Sequence, residues 1–276
     1  MNDLQTPASR EHRYTFGDNG RASARLQRLA EVYEPDTRAL LERSGMRAPR
    51  LAVDLGCGPG WSTRLLRDVL APQRTVGLDA SATYVAEAQR RHGPELEFAV
   101  HDIVRSPFPV SAPDVMFCRF LLTHLRSLNE VLTGWAEVAA AGGWLLIHET
   151  ETLESEHPAL QRYYELVDRL QRHHGQILRV GGVLEAAFAG TGWRLIESQR
   201  CRLEKPLHVM AELHLANLRT WRQDEFAART FDPREIDNLA LSLAEVAADR
   251  ENHGVVLNIA RQIVAERAIY SRSPCL

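Results

Sequence analysis

The chain has 276 residues, 45% of them hydrophobic and 25% charged, with a formal net charge of −3. That length can bury one large core, or one core with a cap, and the near-neutral balance excludes a nucleic-acid footprint, which would need clustered Lys and Arg. No apolar run reaches the roughly 18 residues of a membrane span, and the first residues lack the apolar stretch of a signal peptide. The four cysteines, Cys57, Cys118, Cys201 and Cys275, show no C-x-x-C spacing, so neither a disulfide framework nor a metal site is expected. These features describe a cytoplasmic protein with reduced thiols and no membrane partner.

Residues 1–20 are polar. Residues 22–44 carry a helical stripe of Leu26, Leu29, Val32, Tyr33, Leu40 and Leu41, which Pro35 is expected to break or kink. Apolar runs then predict strands at 51–55, 75–79, 96–101, 114–118 and 144–149. Helices are expected after Gly60, from about Ala82 to Arg91 and from about Leu128 to Ala141. Further on come helices at 158–173 and 181–190, a strand at 193–198, and helices at 209–221 and 233–250. A last segment, about 255–264, reads as a strand, although its periodicity also admits a helix. The alternation predicts an α/β fold: a Rossmann-like, doubly wound, mostly parallel seven-stranded sheet with N-terminal helices and a helical cap. The expected division is an N-terminal helical arm at 1–48 and a ligand-binding domain at 49–276, with cap insertions at about 151–190 and 205–250. The arm is the expected seat of any homo-oligomer contact.

The most informative stretch is Leu51-Ala52-Val53-Asp54-Leu55-Gly56-Cys57-Gly58-Pro59-Gly60. An apolar strand carries one acid, breaks into glycines at alternate positions, and is followed by a helix. Glycine permits positive φ and lets backbone approach a ligand closely. Such a loop holds that ligand at the carboxyl edge of a parallel sheet, over a helix N-terminus. Asp54, Gly56, Gly58 and Gly60 resemble motif I, (D/E)-x-G-x-G-x-G, of class I S-adenosylmethionine (SAM) dependent methyltransferases. A dinucleotide fingerprint, G-x-G-x-x-G, would need glycine where Trp61 stands. The resemblance covers roughly residues 48–200 well and the remainder loosely. It is similar in detail to a bacterial group with a Tyr-x-x-Gly segment, here Tyr14-Thr15-Phe16-Gly17.

The resemblance implies SAM as cofactor and a site that carries over residue by residue. Asp54, Gly56, Cys57 and Gly58 would meet its amino-acid end, Asp54 directly, through water, or by fixing the loop. Asp79 would accept both ribose hydroxyls, a role suited to two close acceptor oxygens facing a vicinal diol. Asp102 and the Ile103 amide would read the adenine, with Ala80 and Ile103 on either side of its ring. Arg119 would meet the methionine end, or pair with Glu149 across neighbouring strand ends, and Tyr14 would close over the cofactor carboxylate.

Methyl transfer is an in-line displacement, so such an enzyme chiefly aligns its reactants and excludes water. A base is needed only where the acceptor must lose a proton. His124, His148 and Glu149 are the candidates. Tyr163, Tyr164, Phe188, Trp221, Phe226 and Phe231 in the cap would suit an apolar or planar acceptor, or serve as core. The expected activity is methyl transfer from SAM to O, N or C of a small organic molecule such as a secondary metabolite. The rivals are an NAD-dependent oxidoreductase and a non-catalytic scaffold of the same fold.

Overall fold

The computed structural model describes residues 20–268, with side chains from Ser23 onward, so Tyr14 lies outside the described residues. Helix α1 (Gly20–Arg43) leads into β1 (Leu51–Leu55), α2 (Trp61–Leu70), β2 (Arg74–Asp79), α3 (Ala82–His92) and β3 (Glu97–Val100). Then follow β4 (Val115–Arg119), α4 (Leu128–Val138), β5 (Trp144–Glu154), α5 (Pro158–His173) and the short α6 (Leu184–Ala187). The chain ends with β6 (Trp193–Pro206), α7 (Leu207–Trp221), α8 (Glu225–Thr230), α9 (Pro233–Ala248) and β7 (Val255–Arg267).

The strands form one seven-stranded sheet in the order β3-β2-β1-β4-β5-β7-β6. The first five are parallel, and β7 runs antiparallel between β5 and β6. Strand β1 is buried at every residue, as its unbroken apolar run requires when helices cover both faces of a parallel sheet. Leu132 and Trp135 of α4 pack on one face, and Leu40 and Leu41 of α1 with Leu66 of α2 pack on the other. A separate cluster around Tyr163, Leu170, Leu218, Trp221 and Leu243 binds α5, α7 and α9 into the cap. Helices α7 to α9 are inserted between β6 and β7, and these two strands pair along nearly their whole length.

The structure departs from the sequence expectations in several places, one being that the helix expected at 181–190 is a 3-10 turn over Val180–Val183 followed by the short α6. Strands β5 and β6 run well past their apolar cores, because the ladder with β7 continues where burial stops. Helix α1 is continuous through Pro35. Proline removes one amide donor from that turn, and two neighbouring groups bond the carbonyls beside it: Lys205 Nζ donates to the Val32 carbonyl at 2.9 Å and Thr37 Oγ1 to that of Tyr33 at 2.9 Å. Helix α1 packs on its own chain through Tyr33, Leu40 and Leu41, which are buried.

Lys205, the only lysine of the chain, also pairs with Asp36. Replacing it with methionine leaves a mostly buried carboxylate without its cation. The expected loss is about 2–3 kcal/mol of unfolding free energy, read from urea denaturation; an unchanged midpoint would show that the pair contributes nothing.

Candidate active site

Among the described residues, those expected to hold the cofactor lie at the carboxyl edge of β1, β2, β3 and β4, where the parallel strands hand over to loops. Gly56, Gly58 and Gly60 all adopt positive φ, at 66°, 51° and 88°. At Gly56 the positive φ favours glycine, and a Cβ there would also press on Leu121 Cδ1 at 2.6 Å, beneath the loop after β4.

Two carboxylates shape this loop from opposite sides. Asp54 is 1% exposed, and its Oδ2 accepts from Ser62 Oγ and Thr63 Oγ1, both at 2.7 Å. Burial raises its pKa to about 6, against the lowering effect of those two hydroxyls. Asp54 therefore acts from behind, tying β1 to the first turn of α2. Asp79 stands at the cavity wall, where its Oδ2 accepts from the Gly58 amide and its Oδ1 from the Ser81 amide, each at 2.8 Å.

The loop opens into a cavity of about 640 Å³, within the roughly 300–1,000 Å³ of small-molecule sites. Gly56, Cys57, Gly58, Asp79, Ala80, Asp102, Ile103 and Arg119 all line it, so the structure brings together nearly the whole expected cofactor set. Asp102 sits there with Oδ2 3.0 Å from Arg105 Nε, and the carbonyl of Ile103 accepts from Trp135 Nε1 at 2.9 Å. Arg119 donates to Thr37 Oγ1 at 3.1 Å and not to Glu149. Phe120 follows it at a φ of 52°, costly for a residue with a side chain. This turn sets the Phe120 ring 4.9 Å from Tyr33, edge-on at the cavity wall.

The three proposed bases fare differently. His148 does not line the cavity: it is fully buried, with Nδ1 3.1 Å from Thr37 Oγ1, and burial depresses its pKa to about 3. Glu149 borders the cavity but has no accessible surface. Its Oε1 accepts from the amides of Leu121 and Leu122, each at 2.7 Å, so it anchors the loop after β4. His124, on the short 3-10 turn Leu122–His124, does face the cavity and is hydrogen-bonded by Gln176; burial lowers its pKa to about 4.

Beyond the glycine loop the cavity continues between α1, α5 and α7. Of the cap aromatics, Tyr163 and Tyr164 line this part, whereas Phe188, Trp221 and Phe226 belong to apolar clusters and Phe231 is core beside them. His214 lies in its wall, stacked on Tyr163 at 4.3 Å and hydrogen-bonded to Tyr164 at 2.9 Å. Arg25, Gln171 and His214 were not anticipated from the sequence. The available signal was a polar residue on an otherwise apolar helical face: Arg25 precedes Leu29 and Tyr33 by one and two turns. His173 and His174 are structural, the first stacked on Phe226 and the second paired with Asp224 at 3.0 Å. Among the described residues no cluster could hold a metal ion, and no helix is long and apolar enough to cross a membrane.

Residues 53–147 match the methyltransferase domain family. Over 123 residues the chain is 37% identical to the trans-aconitate 2-methyltransferase of Methylobacterium nodulans, which covers 45% of this chain and 47% of that protein. The chain spans about half the length of the curated relatives it matches. Geranyl diphosphate C-methyltransferase of Streptomyces coelicolor, solved with Mg2+, geranyl diphosphate and S-adenosylhomocysteine, superposes at a TM-score of 0.52 with 15% identity, over 93% of this chain and 88% of that one. Phosphoethanolamine N-methyltransferase 2 of Haemonchus contortus, solved with SAM, gives 0.51 with 18% identity, over 84% and 52%. At such identities these likenesses speak for the fold. Helices α1, α5 and α7, which wall the far part of the cavity, lie outside residues 53–147.

Burial raises the Glu149 carboxyl from 4.5 to about 8, opposed by its two amide donors. The native state thus keeps a proton that the unfolded chain releases, and stability falls as pH rises from about 4.5 through about 8. Glu149→Gln keeps an oxygen for both amides and removes the titration. Its melting temperature is expected to decline less than that of the parent over that interval, as scanning calorimetry at stepped pH would record; parallel curves would reject the assignment.

Proposed function

We propose that this chain, a class I SAM-dependent methyltransferase by its fold and matched domain, transfers a methyl group from SAM to a small organic acceptor. The observation that carries the reading is Asp79. Its carboxylate stands in the cavity wall at the end of β2, oriented by the Gly58 and Ser81 amides, where two close acceptor oxygens suit a vicinal diol. The surroundings fit the remaining parts of SAM. Asp102 and the Ile103 amide can read an adenine edge, Ala80 and Ile103 are apolar, and Arg119 is a cation suited to the carboxylate of the amino-acid end. A Cβ on Gly58 would meet nothing nearer than Leu26 at 3.6 Å, so the backbone there is open to a ligand. Bound in this cradle, SAM supplies a methyl carbon already activated by its sulfonium.

The residues of the chain then have positioning tasks. Asp54 and Asp79 fix the loop, Glu149 fixes the start of the segment after β4 at Leu121 and Leu122, and α1 lines the cavity. Among the described residues lining the acceptor side, the two histidines and Tyr163 are weak bases or weak acids at neutral pH. Burial holds His124 at about 4 and His214 at about 3, and raises the Tyr163 phenol to about 12. This favours an acceptor that is already nucleophilic when it reaches the site. An NAD-dependent reaction is disfavoured because Trp61, where the dinucleotide fingerprint has glycine, fills the wall beside the loop.

Calorimetry with S-adenosylhomocysteine tests the reading: micromolar binding is expected, and its absence would overturn the reading and favour the scaffold. Asp79→Ala should weaken that binding by about 1–3 kcal/mol, through loss of a charge-assisted bond. His124→Ala should keep the affinity and lose well under the roughly 100-fold in turnover that removal of a general base brings. A larger loss would restore His124 as the base.

A further inference from the structure

Resting on the methyl-transfer reading, we infer that the acceptor is a neutral molecule with an apolar or planar body, whose end remote from SAM carries hydroxyl or N–H donors for the amide oxygens of Gln171 and Asn217. Tyr163, Val167 and Gln171 recur at every fourth residue of α5, and Met210, His214 and Asn217 follow helical spacing on α7, so one stripe of each helix lines the cavity. Gln171 is only 1% exposed, yet its Oε1 has no hydrogen-bond partner among the described residues. The Oδ1 of Asn217 and the Nδ1 of the buried His214 are likewise without one. Asn217 is hydrogen-bonded to the Tyr163 side chain. Because its oxygen is the atom left unmet, its NH2 is the group turned toward that phenol. Buried polar atoms in a native fold nearly always have a partner, so three such atoms around one cavity point to a ligand that supplies it.

Other polar side chains of this lobe are occupied within the protein. Thr123 Oγ1 donates to the Ile177 carbonyl at 2.7 Å, Gln176 is hydrogen-bonded to His124, and the Tyr164 hydroxyl lies 2.9 Å from His214 Nε2. Arg25 also has an interaction of its own there. Two spare amide oxygens can only accept, so the ligand must donate. A carboxylate brings acceptors alone and would leave the Asn217 oxygen unmet. An ammonium would lack its counter-charge, because Asp79 and Asp102 stand on the cofactor side and Glu149 has no accessible surface. A neutral hydroxyl or N–H meets both oxygens. Burial keeps His214 neutral, with a pKa of about 3, and a hydroxyl can pair with its Nδ1 in either tautomer because it both donates and accepts. Gln171, His214 and Asn217 all fall outside residues 53–147, so the matched domain does not carry this choice of acceptor.

The test titrates the full chain, saturated with S-adenosylhomocysteine, with β-naphthol, eugenol and indole. Their counterparts β-naphthyl methyl ether, methyleugenol and N-methylindole keep the ring and lose the donor, while β-naphthoate, tryptamine and trans-aconitate add charge. At least one donor compound is expected to bind about 10-fold or more tighter than its methylated counterpart and than every charged compound. Gln171→Met and Asn217→Leu should each lose about 10- to 100-fold of that affinity, with the methylated counterpart and S-adenosylhomocysteine bound as before. Should the first variant fail to fold, the second, at a half-buried position, carries the test. An equal loss for both members of a pair would mark the two residues as structural only and overturn the inference. No binding of any donor compound, equal binding within every pair, tightest binding of a charged compound, or unaffected variants would overturn it too while methyl transfer stands. Failure of the parent chain to bind S-adenosylhomocysteine would overturn both.

Discussion

The site depends on a buried carboxylate held by hydroxyls, with the Arg119 charge near it. Asp54 sits within β1, 1% exposed, and what keeps it there is a pair of hydroxyls from the first turn of α2. Those two bonds fix where the helix starts relative to the strand, and so fix the path of the three glycines between them. Asp79 then takes up the Gly58 amide that the left-handed turn has removed from any ladder. The loop is thereby held from both sides, its own amides used within the fold: Gly56 and Cys57 donate to the Leu78 carbonyl, Gly58 to Asp79 and Gly60 to the Cys57 carbonyl.

The two halves of the cavity come from different kinds of structure. The cofactor side is built from strand ends, whose positions are set by the hydrogen-bonded register of the sheet. The acceptor side is built from helix faces, which pack through side chains and so can vary without disturbing the sheet. Glu149 and Phe120 join the two: one gathers the amides of Leu121 and Leu122, the other turns the backbone by a left-handed residue. Sequence similarity within residues 53–147 therefore bears on the cofactor side and says little about the acceptor side.

Much of the fold was legible because parallel strands buried on both faces must be unbroken apolar runs, as in β1 and β4. Asp79 and Asp102 were legible for a related reason: an acid where an apolar run ends stands at the sheet's carboxyl edge. His148 and Glu149 show the limit. Neighbours on a strand point to opposite faces, but the alternation alone does not say that His148 goes to α1 and Glu149 to the loop after β4. Helices hide more, since periodicity reveals an apolar face without telling whether core or cavity lies against it. Arg25 and His214 were obscured in this way. Pro35 misled because the donors at its turn, Lys205 and Thr37, are tertiary in one case and a local side chain in the other.

Helix α1 gives adjacent residues to both halves of the cavity: Leu26 is the side chain nearest above Gly58, and Arg25 stands at the acceptor side. Its second half is fixed by Leu40, Leu41 and the Lys205–Asp36 pair, while Ser23 near its start is tied to Glu87 of α3. One helix thus lines both halves of the cavity, and on the proposed function it would roof two ligands. Whatever either ligand does to steady that helix is felt by the other, and thermodynamic linkage makes the effect equal in both directions. Cooperativity between donor and acceptor is then a property of a shared wall, with no relay of residues needed between them.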